Sequence, residues 1–434
     1  MENFKKITKQ QSPARTIAVG FAALILSGTV LLLLPVAVQG ARLSGLDALF
    51  TATSAVCVTG LVTVDPGDTF TLFGQAVLAV LMQLGGLGIS SVSMGLAIAA
   101  GRRISFRGRS LVREALNVES FEGMVKLVRA IMTMTLLVEG IGAVASYPVF
   151  ARDYPPLRAA WISVFHAVAS FNNAGFDVLG GGHSLIPYCS NVWLNLVTDA
   201  MIVLGGIGFM VVLDVLRCRG RFRKLTLHSK VVLTTTAVLI LGGALLLWLT
   251  EPISFLAALF QSITTRTAGF STIDIGAMTN AGLLVMMILM FIGASPGSTG
   301  GGIKTTTFFV LMQEVRIIFS KRRLGAFKRR LPKESLDKAA TITLLGAVVV
   351  FVGTFVLCVL EPQLSFVQLL FEQVSAYSTA GLTMGITAGL HPASKAVLIA
   401  TMFIGRVGAF TLLSLWVTRP EPSAQYTEEA ITIG

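Results

Sequence analysis

Four short stretches of the chain have a composition that suits binding of a cation by backbone oxygens. Each ends in a glycine, and the stretches read Val58-Thr59-Gly60, Asn173-Ala174-Gly175, Thr267-Ala268-Gly269 and Thr379-Ala380-Gly381. Glycine adopts backbone angles that other residues avoid, so successive carbonyl oxygens can point toward one axis. Rings of such carbonyls replace the hydration shell of potassium in selectivity filters. These residues therefore predict an ion-binding filter for K+, and their side chains can differ because main-chain oxygens coordinate the ion.

These stretches belong to a larger internal repeat. A second glycine element follows the filter glycines at distances of 25, 30, 24 and 24 residues, beginning at Gly85, Gly205, Gly293 and Gly405. A phenylalanine lies ten residues before the filter glycine in three stretches, whereas the third has Leu259 there and Phe260 one step on. A single glycine often marks only a helix packing face. Four pairs in register indicate one structural unit repeated four times.

The composition places this unit in a membrane. The chain has 434 residues, of which 54% are apolar and only 13% are charged, with a mean hydropathy of +0.78. Soluble domains carry about 25% charged residues. The first apolar run, residues 16–37, is long enough to span a bilayer and too long for the core of a signal peptide. We interpret it as the first retained helix of a polytopic membrane protein.

Apolar runs of two lengths surround the filter stretches. Long runs open each repeat at 16–37, 125–147, 231–249 and 339–360, and close it at 72–100, 192–216, 281–319 (interrupted) and 396–417. Short runs lie between them at 46–57, 161–172, 254–266 and 366–378. With a rise of ~1.5 Å per residue, a short run cannot cross a hydrocarbon core of ~30 Å. Each must therefore enter and leave the membrane on the same side.

Non-helical backbone at membrane depth persists only where it lines water or is buried in protein. The sequence therefore predicts an all-α polytopic membrane protein with four pseudo-symmetric helix–pore-loop–helix repeats. Eight transmembrane helices and four re-entrant pore helices would surround one central pore. We expect a single ion-conducting membrane domain, 1–434, with repeats at approximately 16–113, 114–226, 227–330 and 331–434.

Charge predicts the orientation. The net charge is +12, and basic residues cluster near the N-terminus (Lys5, Lys6, Lys9) and at 102–113, 217–230 and 316–338. By the positive-inside rule these clusters are cytoplasmic, as are both termini. The clusters are short and lie at the ends of apolar runs, which argues against a nucleic-acid surface. They suit anionic lipid headgroups or an acidic cytosolic partner.

The third closing run is interrupted by a glycine-rich loop. Residues 293–302 contain Gly293, Pro296, Gly297, Gly300, Gly301 and Gly302, followed by Lys304. Proline and closely spaced glycines break a helix, and the freed backbone groups then need polar partners or a wet cavity. Lys304 and Arg406 are cations predicted at membrane depth, where such charges are usually functional. For Lys304 a structural role and a role in gating are both open. The alternative for Arg406 is that its aliphatic chain extends through the apolar region and places the guanidinium at the cytoplasmic surface.

At these residues the chain resembles the Trk/Ktr/HKT superfamily of potassium transporters, and it is most similar to the KtrB membrane subunits. The glycine-rich loop resembles the intramembrane loop that gates transport in the family. The resemblance implies that Arg406 latches this loop shut. In the family, filter glycines accompany potassium selectivity, and a serine at the first position accompanies sodium in some plant members. Gly60, Gly175, Gly269 and Gly381 therefore imply potassium.

The resemblance also implies partners and a location. It implies a homodimer in a bacterial plasma (inner) membrane, with a cytosolic ring of nucleotide-binding regulatory subunits of the RCK or KtrA type. The basic linkers are candidate docking surfaces for that ring. Sodium as a stimulating or coupled ion is left open.

Other functions fit the sequence less well. A P-loop needs GxxxxGK[ST], but Ile303 separates Gly302 from Lys304, and the stretch lies inside a membrane run. HExxH is absent from the sequence and no GxSxG serves a nucleophile, so an enzyme is not indicated. Transporters of organic solutes often have inverted repeats. Here all four repeats run in the same direction. A sodium-coupled or poorly selective transporter of monovalent cations is the main alternative.

Overall fold

A computed structural model describes residues 13–40, 42–99, 110–112, 124–320, 325–409 and 411. Their regular secondary structure is helical, apart from one antiparallel pair of two-residue strands, Gly325–Ala326 and Arg329–Arg330, and an isolated bridge between Val38 and Phe70. The predicted N-terminal basic cluster and most of the cluster at 102–113 lie outside these residues. Residues 410 and 412–417 of the fourth predicted closing run also lie outside the described residues.

One order of elements recurs four times: a long helix, a short helix and a second long helix. We name them the outward, short and return helices, for their order in each repeat. The first repeat contains α1 (Pro13–Leu32), α2 (Gly45–Cys57), α3 (Leu72–Leu87) and α4 (Ile89–Ala99). The second contains α5 (Met124–Phe150), α6 (Pro156–Phe171), α7 (Val192–Gly206) and α8 (Phe209–Arg217). The third contains α9 (Leu227–Thr250), α10 (Phe255–Thr264), α11 (Asn280–Ile292) and α12 (Thr305–Ser320). The fourth contains α13 (Lys333–Leu360), α14 (Phe366–Ser378) and α15 (Pro392–Val407).

The outward helices face lipid. Within the described residues, four helices are long and apolar enough to cross a membrane, and six spans result if two sharply bent pairs each count as one. Large apolar side chains on these helices are exposed, such as Val144 at 75% and Phe355 at 70%. Exposed apolar surface of this extent requires an apolar surrounding. The chain is therefore a multi-pass membrane protein, as the composition predicted.

The short helices are fixed at their first residues by local hydrogen bonds. Ser44 caps α2 by accepting from the Asp47 amide, and Ser254 caps α10 by accepting from the Ala257 amide. Ser365 and Gln368 form a reciprocal capping box at the start of α14. The helix α6 begins with Pro156 at its first position, where the missing amide proton is not needed.

The return helices break at the second glycine element. The sequence predicted such an interruption only in the third repeat. The chain instead bends by 101° between α3 and α4 and by 98° between α7 and α8. Gly88, Gly208 and Gly408 have φ of 80°, 94° and 93°, values that glycine tolerates and that end an α-helix. The prediction of unbroken helices at 72–100 and 192–216 was wrong.

Close approach to the last turns of the short helices explains the other glycines of this element. A Cβ atom at Gly85 would overlap with the Val56 carbonyl, one at Gly205 with the Phe171 carbonyl, and one at Gly405 with the Tyr377 carbonyl. Each of these carbonyls precedes its filter glycine by four residues. The return helices therefore pack directly against the backbone that supports the filter.

Acidic residues join the ends of outward helices to return helices. Glu361 follows α13 and accepts from the His391 amide (2.6 Å) and the Ser394 hydroxyl (2.7 Å) at the start of α15. Burial alone would raise the pKa of Glu361, but these hydrogen bonds and one from Gln363 hold the pKa below its ordinary value. Glu251 accepts from Thr279 in the third repeat in the same way.

The close helix–loop contact predicts opposite effects for two glycine substitutions. Gly205→Ala should lower the unfolding temperature of the detergent-solubilised protein by several degrees, because overpacking costs ~1–3 kcal/mol. Gly242→Ala is the matched control, since a Cβ at Gly242 meets nothing within 4 Å. It should leave the unfolding temperature unchanged or raise it, because alanine favours helix by up to ~1 kcal/mol. Equal effects in thermal unfolding would contradict this packing.

Candidate functional site

The four predicted filter glycines meet in one ring. A Cβ at Gly60 would lie 2.7 Å from the Ala174 carbonyl oxygen, and one at Gly175 would lie 2.7 Å from that of Ala268. A Cβ at Gly269 would lie 3.0 Å from the Ala380 oxygen. The ring closes where a Cβ at Gly381 would overlap with the Thr59 oxygen. Each loop thus places the carbonyl before its glycine against the glycine of the neighbouring loop.

All four loops have the same unusual backbone conformation. The filter glycines have φ of 98°, 67°, 84° and 78°. The residues two positions earlier, Val58, Asn173, Thr267 and Thr379, also have positive φ, between 51° and 73°. Left-handed conformations are unfavourable for such side chains and indicate that the surrounding structure enforces them. The repeat therefore extends to the backbone angles, although the side chains differ.

The short helices fix these loops through one further hydrogen bond. The amides of Thr59, Ala174 and Ala380 donate to carbonyls five residues earlier at 2.8 Å, whereas the Ala268 amide donates to the carbonyl four residues earlier at 2.9 Å. The third loop is therefore one residue shorter. This difference explains why the buried phenylalanine of the third repeat is Phe260, one step later than in the other repeats.

The ring is polar but carries no acidic side chain. Its eight non-glycine residues, the two before each filter glycine, are completely buried. The hydroxyls of Thr59, Thr267 and Thr379 have no hydrogen-bond partner among the described residues. Unpartnered buried hydroxyls are rare, because burial without a partner costs about 1–3 kcal/mol. Hydroxyl and carbonyl oxygens are ligands that a weakly hydrated cation prefers, so the residues present fit K+.

An amide network supports the second loop. Asn172, which precedes the filter residue Asn173, donates to the side-chain oxygen Oε1 of Gln83 (2.7 Å) and to the Glu139 carboxylate (3.1 Å). Gln83 belongs to α3 and Glu139 to α5, so the loop is tied to two neighbouring helices. The sequence repeat did not indicate this network, because the other loops have no asparagine at the position of Asn172.

A buried carboxylate supports the fourth loop and was missed by the sequence analysis. Glu372 in α14 accepts from the hydroxyls of Thr383 and Thr387 and from the amide of Met384 (3.2 Å). These donors follow the filter glycine Gly381, so the carboxylate holds the outgoing chain against the helix. An acidic residue within a short apolar run was the available signal.

The glycine-rich loop of the third repeat lies against the filter loops. Gly300 contacts Thr267, and Gly301 lies so close to the fourth loop that a Cβ would be 2.8 Å from the Ser378 carbonyl oxygen. Gly293 and Gly302 lie side by side, since a Cβ on either would be 2.8 Å from the other's Cα. The loop therefore leaves and re-enters the helix at one point.

The same loop is bonded to the break of the second return helix. The amides of Ser295 and Thr299 donate to the carbonyls of Gly206 (2.9 Å) and Gly205 (3.3 Å). In return, the Phe209 amide donates to the Gly297 carbonyl at 3.0 Å. A Cβ at Gly208 would lie 2.6 Å from the carbonyl oxygen of Pro296. All these groups are backbone atoms freed by helix breaks, and they satisfy one another.

The two predicted intramembrane cations contact this loop. Lys304 donates to the carbonyls of Gly300 (2.6 Å) and Gly301 (3.2 Å), and its φ is 69°. Arg406 donates to the carbonyls of Thr299, Gly85 and Gly86, the last at 3.2 Å. Arg406 thereby joins the fourth repeat, the loop of the third repeat and the return helix of the first.

Fold and site together define a polytopic helical membrane protein in which four re-entrant loops enclose one ring of backbone oxygens, as expected of a cation-transport protein. The model of the TrkH family, described as "Cation transport protein", matches residues 4–251 and 222–428. The chain therefore belongs to the TrkH family of cation transport proteins, a family of transporters rather than enzymes.

Relatives with known names cover nearly the whole chain. It is 41% identical to the potassium/sodium uptake protein NtpJ of Enterococcus hirae, over 99% of each chain. It is 36% identical to the Ktr system potassium uptake protein B of Bacillus subtilis, over 98% of this chain and 97% of the relative. The crystal structure of the potassium transporter TrkH from Vibrio parahaemolyticus has the same fold, with a TM-score of 0.74, 21% identity, and coverage of 94% and 86%.

Proposed function

We propose that this chain carries potassium ions across the plasma membrane through the ring of four glycine loops. The observation that carries the proposal is the ring itself, in which each filter glycine faces the carbonyl of the next loop and three threonine hydroxyls have no partner among the described residues. The names of the relatives, potassium uptake proteins, support potassium as the ion.

The filter acts by replacing water with main-chain oxygens. Val58, Asn173, Thr267 and Thr379 hold the left-handed turns that direct the carbonyls inward. The short helices end next to the ring, so the partial negative charge at their C-terminal ends adds to the field felt by the ion. The ring carries no fixed carboxylate that would hold a cation too tightly for release.

The glycine-rich loop closes the path below the ring, and Arg406 holds it there. Arg406 bonds the Thr299 carbonyl of the loop and the Gly85 and Gly86 carbonyls of a neighbouring repeat. Lys304 bonds the Gly300 and Gly301 carbonyls of the same loop and stabilises its turn. Displacement of the loop breaks these bonds and opens the path for a hydrated ion.

Regulation comes from partners in this proposal. Two copies of the chain form a homodimer, and a cytosolic nucleotide-binding ring of the RCK or KtrA type controls the loops. The name "Ktr system", which relatives carry, supports a multi-component assembly. The basic segments 217–230 and 316–338 are the candidate docking surfaces, and they lie on the cytoplasmic side together with both termini.

Sodium is the second candidate ion, either coupled to potassium or stimulating its uptake. The observation that favours it is the 41% identity to NtpJ of Enterococcus hirae, which is named a potassium/sodium uptake protein.

Complementation tests the proposed function directly. The chain, expressed with a cognate regulatory subunit, should restore growth of a potassium-uptake-deficient bacterium on low potassium. Growth should be measured with sodium both present and absent. Growth that depends on sodium identifies the coupled or stimulated mechanism, whereas failure of a correctly inserted chain to restore growth contradicts potassium uptake.

Gly60→Ser should weaken selection of potassium over sodium by about tenfold, equivalent to ~1.4 kcal/mol. Gly60 has φ of 98°, and a Cβ there would lie only 2.7 Å from the Ala174 carbonyl oxygen, so a serine must displace that ligand. Gly40→Ser is the matched control, because Gly40 also has positive φ but a Cβ there meets nothing within 4 Å. Competition of sodium with rubidium uptake measures the ratio, and unchanged selectivity would refute the role of the first loop.

Arg406→Ala should raise potassium flux in the absence of the regulatory subunit by tenfold or more. Removing the guanidinium frees the Thr299, Gly85 and Gly86 carbonyls at once, and each hydrogen bond to a charged donor contributes about 1.5–3 kcal/mol. Flux into proteoliposomes measures the effect, with protein content and unfolding temperature as controls. Equal or lower flux from a correctly inserted variant would refute the latch.

A further inference from the structure

Arg266 is a buried arginine whose two terminal nitrogens lack hydrogen-bond partners within the described part of the chain. It follows α10, three residues before the filter glycine Gly269, and its amide donates to the Ile263 carbonyl at 3.1 Å. The residue is only 5% exposed, and neither Nη1 nor Nη2 has a hydrogen-bond partner among the described residues. A buried cation without hydrogen-bond acceptors is strongly unfavourable. A conformation that brings an acceptor to Arg266 would therefore be stabilised.

Arg266 lines a small cavity between α7, α9 and α10. It shares the wall of this cavity with the residues Ile202, Val203, Gly206, Ile207, Thr236 and Ile263. The Thr236 hydroxyl also lacks a partner among the described residues. The cavity therefore brings unpartnered donors to the C-terminal end of α7, at the break of the second return helix.

The carbonyls at this break are occupied by the glycine-rich loop. Gly206 accepts from the Ser295 amide, and Gly205 accepts from the Thr299 amide. Because α7 ends here, no later helical turn supplies other amides to these carbonyls. When the loop moves away, two carbonyls at membrane depth lose their donors, and each unsatisfied group costs free energy.

In the first repeat, an arginine supplies hydrogen-bond donors to the equivalent carbonyls. Gly85 and Gly86 occupy the same position at the end of α3, and their carbonyls accept from the guanidinium of Arg406. The second repeat has the same pair of glycines, and Arg266 and Gly206 line the same cavity.

We propose that Arg266 is a positioning residue for the conducting state: its guanidinium binds the Gly205 and Gly206 carbonyls when the glycine-rich loop leaves them. The two arginines then act in opposition. Arg406 stabilises the loop in place, and Arg266 stabilises the helix end that the displaced loop exposes. This inference rests on the proposed function, because it assigns a closing role to the loop.

The test measures the position of the loop rather than transport. Ser298→Cys places a thiol on the loop, in a background in which Cys189, Cys218 and Cys358 are alanine. A charged, water-soluble thiol reagent should modify it faster when Arg406→Ala is added. Adding Arg266→Met should then slow modification by about tenfold, as expected for loss of ~1.4 kcal/mol from the displaced state. Arg266→Lys keeps a donor and should preserve much of the fast rate.

Methionine is similar in length and removes the buried charge, so the unfolding temperature should not fall. A merely structural role for Arg266 predicts the opposite result, a lower unfolding temperature and faster modification.

Asp199, one turn before Val203, is also buried without a partner among the described residues. If Asp199→Asn slows modification as much as Arg266→Met, the acceptor is a carboxylate and the proposal is wrong. An unchanged rate in the Arg266→Met variant also overturns it.

Potassium uptake by the wild-type chain is measured in parallel. Failure of uptake contradicts the proposed function, whereas retained uptake with an unaltered modification rate in the Arg266→Met variant contradicts only this inference.

Discussion

The structure depends on close contact between each filter glycine and a backbone carbonyl of the neighbouring loop. At each filter position the space that a Cβ would occupy is filled by the backbone of the next loop, as between Gly60 and Ala174. This contact is possible only for glycine, and it closes only if all four loops adopt the same backbone conformation. The internal repeat is the simplest way for one chain to satisfy that condition, since each repeat supplies the same loop from the same arrangement of helices.

Other features of the fold follow from keeping non-helical backbone at membrane depth. Each loop needs partners for its polar groups, and the return helices approach closely enough to supply packing at Gly205 and Gly405. The helix breaks that permit this approach free further backbone groups, which the glycine-rich loop and Arg406 satisfy. The hydroxyls of Thr59, Thr267 and Thr379 have no partner among the described residues. In the proposed function, the transported ion binds them.

The repeat, the short helices and the membrane class could be predicted from sequence because they depend on glycine spacing and on the lengths of apolar runs. The helix breaks at Gly88 and Gly208 could not, since an apolar run continues across them and a glycine there also suits simple packing. The roles of Glu372 and Arg266 depend on contacts between segments far apart in sequence. The offset of Phe260 showed a difference in the third loop, but only the hydrogen bonds showed that the loop is one residue shorter.

The central claim is that main-chain oxygens of the four loops bind the transported ion. Anomalous diffraction from crystals grown in rubidium tests it most directly, because rubidium resembles potassium and scatters anomalously. The account predicts a rubidium peak on the axis of the ring, within coordination distance of the carbonyls of Thr59, Ala174, Ala268 and Ala380. Absence of a peak at the ring at saturating rubidium, in protein that transports rubidium, would contradict it.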